Sequence, residues 1–168
     1  HGIGGDRSPW KFGFSPGAAC YIYPESIYTW RKPRIWEGKE AISHVTDRGG
    51  ELQLSQDVAV DPNIPLVASA WVQGLDVAGD GIGFGAGRED FAGLWIQELD
   101  EQGRVVASHP RAGIQKATPD FQRIICTFTT NPKTATVRFT LLSKIGCVWK
   151  HGAAIYDGCA LEPVQAEK

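Results

Sequence analysis

From Leu94 to Thr130 the chain reads LWIQELDEQGRVVASHPRAGIQKATPDFQRIICTFTT, and no helical period can be laid on it. Leu94, Ile96 and Glu98 alternate with Trp95, Gln97 and Leu99, so a pleated strand sends the two sets to opposite faces. Asp100-Glu101-Gln102-Gly103 supplies the acidic and glycine residues of a hairpin, and Arg104-Val105-Val106 starts the return. After a polar, proline-broken connection, Ile124, Cys126 and Phe128 alternate with Arg123, Ile125 and Thr127. Asn131-Pro132 then stops the run, and Thr134 to Leu142 opens the next. A chain written this way folds as antiparallel strands following one another.

The same pattern extends upstream. Gly38 to Val45 reads as a strand, Asp47-Arg48-Gly49-Gly50 as its turn, and Glu51 to Val60 as its hairpin partner, with Leu52, Leu54, Val58 and Val60 on one side. Leu66, Ala68, Ala70 and Val72 make a small-residue apolar face, while Val67, Ser69, Trp71 and Gln73 point the other way. With 168 residues, 20 Gly and 10 Pro, the expectation is one all-β domain over residues 1–168, built as a sandwich or barrel. A net charge of -2 argues against a nucleic-acid surface. No apolar run of about 18 residues occurs and no signal peptide is recognisable, so no membrane partner is expected.

Residues 1–37 form an irregular, aromatic-rich segment, where proline interrupts any ladder around Trp10, Phe12, Tyr21, Tyr23, Trp30 and Trp36. Most such rings cover a core. Trp30 and Trp36, set among basic residues and turns, are the candidates for an exposed sugar platform. The glycine-rich stretch between Gly74 and Gly93 lacks both the Gly-Lys-Ser/Thr of a phosphate loop and a βαβ setting, so it reads as a long mobile connection at the rim of the fold. Cys20, Cys126, Cys147 and Cys159 show no zinc spacing. They are disulfides or buried thiols; of the three pairings, Cys147 with Cys159 is attractive because both flank the last hairpin-like stretch, and bridges would imply an oxidising compartment.

Taken in order, GKEAISHV, GELQLSQDVAVDP, LVASAWVQG, LWIQELDEQGRVV, DFQRIICTFTTNPKTATVRFTLL and AAIYDGCALE resemble the carbohydrate-binding modules of the family four, nine and twenty-two type. The resemblance covers residues 38–162. It implies an antiparallel two-sheet β-sandwich of jelly-roll type, noncatalytic, secreted, and covalently linked to the catalytic domain of a polysaccharide-degrading enzyme. It also implies a structural calcium, with Asp157 in the place resembling the terminal acidic ligand; the alternative for Asp157 is a solvated aspartate at a strand end.

If Leu66/Ala68/Ala70/Val72, Leu94/Ile96, Ile124/Cys126/Phe128 and Ala135/Val137/Phe139/Leu141 form the core, then Trp71, Trp95, Gln97, Arg123, Arg138 and Thr140 share the opposite faces of their strands. Sugar rings present C–H groups that stack on indoles, and their hydroxyls take forked hydrogen bonds from Arg, Gln and acids. The expected partner is therefore a polysaccharide or oligosaccharide, held by Trp71 and Trp95 with Gln97 and Arg138, assisted by Trp30 and Trp36. Glu98 and Asp100 raise the thought of a hydrolytic carboxylate pair, but a bulge turning Glu98 outward before a turn aspartate accounts for both.

Two other classes remain. His1 resembles the copper-binding amino terminus of lytic polysaccharide monooxygenases, with His44, His109 or His151 as second ligand and Tyr156 or a Phe axial. The third class is a structural spacer within a larger carbohydrate-active enzyme.

Overall fold

The computed structural model describes residues 11–14, 19–24, 40–46, 50–76, 84, 90–146 and 152–164. Among them run the strands β1 (Lys11–Phe14), β2 (Ala19–Pro24), β3 (Glu40–Thr46), β4 (Gly50–Ala59), β5 (Pro65–Asp76) and β6 (Phe91–Leu99). They are followed by β7 (Val105–Ser108), β8 (Ala112–Ile114), β9 (Gln122–Thr129), β10 (Thr136–Ile145) and β11 (Gly152–Pro163). Two antiparallel sheets result. The first has the order β1-β4-β10-β6-β7, with β8 also paired to β6; the second has the order β2-β3-β11-β5-β9.

The period of two decides what lies between the sheets. Leu52 and Leu54 of β4, Leu94 and Ile96 of β6, and Val137, Phe139, Leu141 and Ile145 of β10 are buried from the first sheet. Leu66, Ala68, Ala70 and Val72 of β5, Phe128 of β9, and Ala154 and Tyr156 of β11 meet them from the second, with Ile124 and Cys126 packed alongside. Each fully buried Leu, Ile or Phe contributes roughly 1.5–3 kcal/mol by leaving water. This is the inward set expected from the sequence, and the fold is the expected all-β, two-sheet sandwich.

From β3 to β6, and again from β9 to β11, the chain passes from one sheet to the other at each connection, as a jelly roll requires. One expected hairpin is therefore absent. β3 pairs with β2 and β11, whereas β4 pairs with β1 and β10, so the connection after Thr46 crosses between sheets. A short polar stretch of sequence does not record which of two sheets the next strand will join. The β6–β7 hairpin does form: Asp100 N donates to Arg104 O at 2.9 Å, and Gly103 N donates to Asp100 O at 2.9 Å. Gly103 takes φ +75°, where an L side chain would be strained.

Two loop expectations are corrected. Within the glycine-rich connection Phe84 is pinned into the core: its N donates to Leu75 O at 3.2 Å, and a Cβ on Gly74 would come within 2.3 Å of its ring. The rest of 77–89 lies outside the described residues. Cys126 and Cys159 carry free thiols, so the Cys147–Cys159 bridge is not formed; Cys147 and the Cys20 side chain lie outside the described part. Cys159 sits in the bulge between Asp157 and Ala160 and packs against the core. Burial, with help from the Asp157 charge, pushes its thiol up to about 12.

Candidate functional site

The outward residues of the first sheet form cross-strand rows. Asp57 on β4 lies opposite Arg138 on β10, Arg138 opposite Gln97 on β6, and Gln97 opposite Ser108 on β7. The neighbouring row runs from Lys11 on β1 through Ser55 and Thr140 to Trp95. Side chains this close across an antiparallel ladder interact, and Asp57 and Arg138 do so through charge.

Arg138 grips Asp57 with both ends of its fork, Nε to Oδ1 at 2.7 Å and Nη2 to Oδ2 at 3.0 Å. Lys11 Nζ donates to Oδ2 at 2.7 Å. The Arg138 bond is the main reason the Asp57 carboxyl falls to about 2, against a partial opposing effect of burial, with Lys11 adding to the fall. Asp57 is thus anionic under ordinary conditions, and Arg138 is held in place by a charge-assisted pair. Trp95 is fixed too: its indole N–H donates to Ser108 Oγ at 3.0 Å, and the Arg111 guanidinium carbon stands 4.8 Å from the ring centroid. The ring is half-buried, so part of it meets water. Thr140 is buried between Ser55 and Trp95.

The structure therefore brings together Trp95, Gln97 and Arg138. It does not add Trp71. Both indoles point away from the core, as the alternation requires, but Trp71 lies on β5 of the second sheet, between Asp157 of β11 and Arg123 of β9. The two tryptophans occupy opposite sides of the sandwich and cannot share a ligand surface. Trp30 and Trp36 lie outside the described residues. Lys11, Asp57, Ser108 and Arg111 were missed by sequence reasoning. The alternation of β4 placed Asp57 outward, and that signal would have found it once β4 was known to pair with β10.

Glu98 is also corrected. It faces inward, 1% exposed; the ladder to β7 does shift register between Glu98 and Leu99, but the shift does not turn Glu98 out. Its Oε2 accepts from Asn131 N at 2.6 Å and from the Thr134 hydroxyl, and its Oε1 lies 2.8 Å from His109 Nε2. Burial raises its carboxyl, but the three bonds together outweigh that and leave it below its ordinary value. Asp100, in the turn, accepts from Gln102 N at 3.0 Å and from Arg104 N at 2.9 Å. Both carboxylates are spent on holding loops, which removes the hydrolytic pair.

His109, a candidate copper ligand, is bound to Glu98 and packs at a tilt of 37° against Phe128, with centroids 4.6 Å apart. His44 is sealed in the core, with Nδ1 2.5 Å from Ser143 Oγ, and the hydroxyl of buried Tyr156 donates to Leu142 O at 2.8 Å. His1 and His151 lie outside the described residues. Asp157 Oδ1 accepts from Gly158 N at 2.7 Å, and among the described residues no three His, Cys, Asp or Glu side chains converge as a metal-holding group.

No protein-family model matches the chain, and no curated protein matches it in sequence. Solved structures do match its fold. The enzymatically active domain of tailspike protein 4 of bacteriophage CBA120 is similar with a TM-score of 0.66 and 12% identity over 94% of this chain. This chain spans 20% of that tailspike chain. The CBM22-1 xylan-binding domain of Xyn10C from Paenibacillus barcinonensis gives a TM-score of 0.57 at 13% identity, covering 93% of this chain and 87% of the other. TmCBM61, solved in complex with beta-1,4-galactotriose, gives 0.55 at 13% identity, covering 93% and 89%. The chain therefore has the β-sandwich fold found in carbohydrate-binding modules.

Proposed function

We propose that this domain is a noncatalytic carbohydrate-binding module of a secreted carbohydrate-active protein, and that it holds a glycan chain across the outer face of the first sheet. The observation that carries this reading is the pair of adjacent rows on that face, with half-open Trp95 in one and the Arg138–Asp57 pair and Gln97 in the other. The indole offers a flat apolar surface to sugar C–H groups. Arg138 and Asp57 are already oriented by one another, so the remaining Arg138 N–H groups and the Asp57 oxygens meet hydroxyls without first being ordered, and the Gln97 amide stands beside them in the same row. The likeness in fold to a xylan-binding domain and to a module solved with beta-1,4-galactotriose supports the same reading. No step in it uses calcium.

A glycan microarray of the purified domain tests the class of ligand, and titration calorimetry with the best glycan tests the site. Trp95→Ala should weaken binding by about 1–3 kcal/mol if the ring is an anchor. Full affinity in that variant would remove the site.

A spacer role is the second reading. It is supported by the modest share of the tailspike chain, 20%, that a domain of this size occupies. A folded domain that binds no glycan, and whose deletion destabilises its neighbour, would mark that case.

A further inference from the structure

Around Trp95, the described residues of the face proposed above carry more positive than negative charge, although the whole chain is at -2. Lys11, Arg138 and Arg111 surround Trp95 and its row, and Asp57 is the carboxylate among them. The charge of Asp57 is shared between Lys11 and Arg138. Arg111 is different. It is exposed, lies over the indole, and is paired with no carboxylate among the described residues.

The chain sets Arg111 there for a local reason. Between β7 and β8 the backbone is tied to β6 through His109 N, which donates to Ile96 O at 2.9 Å. His109 sends its ring inward to Glu98, while Arg111 stands out over Trp95, whose ring is in turn locked by Ser108. A guanidinium lying on an indole gains from the ring's negative face and keeps its N–H fork open toward solvent. That fork matches two oxygens held on one atom, as in a carboxylate or a sulfate ester.

Resting on the glycan-binding reading of this same site, we propose that the ligand is an anionic glycan, with the acidic group of one sugar gripped by Arg111 while a neighbouring ring meets Trp95. Uronic acids and sulfated sugars share this chemistry, and the experiment separates them.

Affinities of the wild-type domain are measured for polygalacturonate and its methyl ester, and for dextran sulfate and dextran, each at low and moderate salt. Preference for polygalacturonate over its ester identifies a carboxylate ligand; preference for dextran sulfate over dextran identifies a sulfate ligand. Either preference should weaken with salt. Arg111→Gln should lower affinity for the preferred acidic polymer about tenfold, the scale of a lost charged hydrogen bond, and should flatten its salt dependence. Arg111→Lys should restore only part, because a point charge lacks the fork. Arg123→Gln, on the outer face of the second sheet, should change nothing, which separates a site from general attraction.

The proposal is overturned if wild type binds the neutral partner of each pair as well as the acidic one, or if Arg111→Gln keeps full acidic affinity. In those cases a neutral-glycan module remains, provided Trp95→Ala still loses affinity. A folded wild type that binds no polymer here and no glycan on the array removes both readings.

Discussion

At the scale of single residues, the account turns on which polar groups are held and by what. Asp57 has a folded pKa of about 2 against an ordinary 3.8, lowered first by Arg138. A carboxylate whose folded value is depressed stabilises the fold above its ordinary value, and that stability drains away as pH falls toward the folded value. Asp57→Asn should therefore cost about 1 kcal/mol at neutral pH, as suits a partly exposed pair. The difference in melting temperature from wild type should shrink between pH 3.8 and 2. Parallel melting curves across that window would contradict the pairing.

His44 works in the opposite region. Burial lowers its pKa from 6.5 to about 4, and its Nε2 has no hydrogen-bond partner among the described residues. Below 6.5 the unfolded chain takes up a proton that the folded chain refuses, so stability should fall as pH drops from 6.5 to 4, by up to about 1.4 kcal/mol per unit. His44→Gln should flatten that part of the melting profile. An unchanged slope would mean that His44 protonates readily in the folded state.

At the scale of elements, close approach rather than charge sets the limits. Gly93 of β6 pairs with Gly113 of β8, and a Cβ at Gly93 would lie 2.1 Å from Ala112 O and 2.5 Å from Gly113 Cα. Backbone cannot swing aside as a side chain can. Gly93→Ala should therefore separate β8 from β6, with a cost of about 1–3 kcal/mol in chemical unfolding. Because β8 follows Arg111, it should also unseat the cation above Trp95. A variant with wild-type stability would show that β8 is not docked this way.

The strands also show what the sequence could and could not express. Alternation gave the inward set of β5, β6 and β10 correctly, because the face of a strand is a property of its own residues. Which sheet a strand joins depends on its partners, and no local residue records that. Trp71 and Trp95 have the same alternation and the same outward direction, yet they sit on opposite layers. The stretch Asp47 to Gly50 reads as a hairpin turn, and nothing in it records that β3 and β4 join different sheets. Glu98 was misjudged for a related reason: a carboxylate in an apolar row looks outward-facing until the Asn131 amide, the Thr134 hydroxyl and His109 arrive from distant segments to satisfy it.

At the scale of the whole molecule, the sandwich presents two outer faces of different character. One carries Trp95 beside an ordered Arg138–Asp57 pair and a stacked Arg111; the other carries Trp71 between Asp157 and Arg123. A rigid two-layer core keeps them apart, so ligand binding on one should leave the other unperturbed. Trp71→Ala should accordingly retain the glycan affinity that Trp95→Ala loses.

The most direct measurement is backbone amide chemical-shift mapping by NMR while the best array glycan is added. The predicted result is a cluster of shifts at Trp95, Gln97, Ser108, Arg111, Arg138 and Thr140, with Trp71 and Arg123 still. Shifts centred on Trp71 and Arg123 would place the ligand on the other sheet and contradict the account.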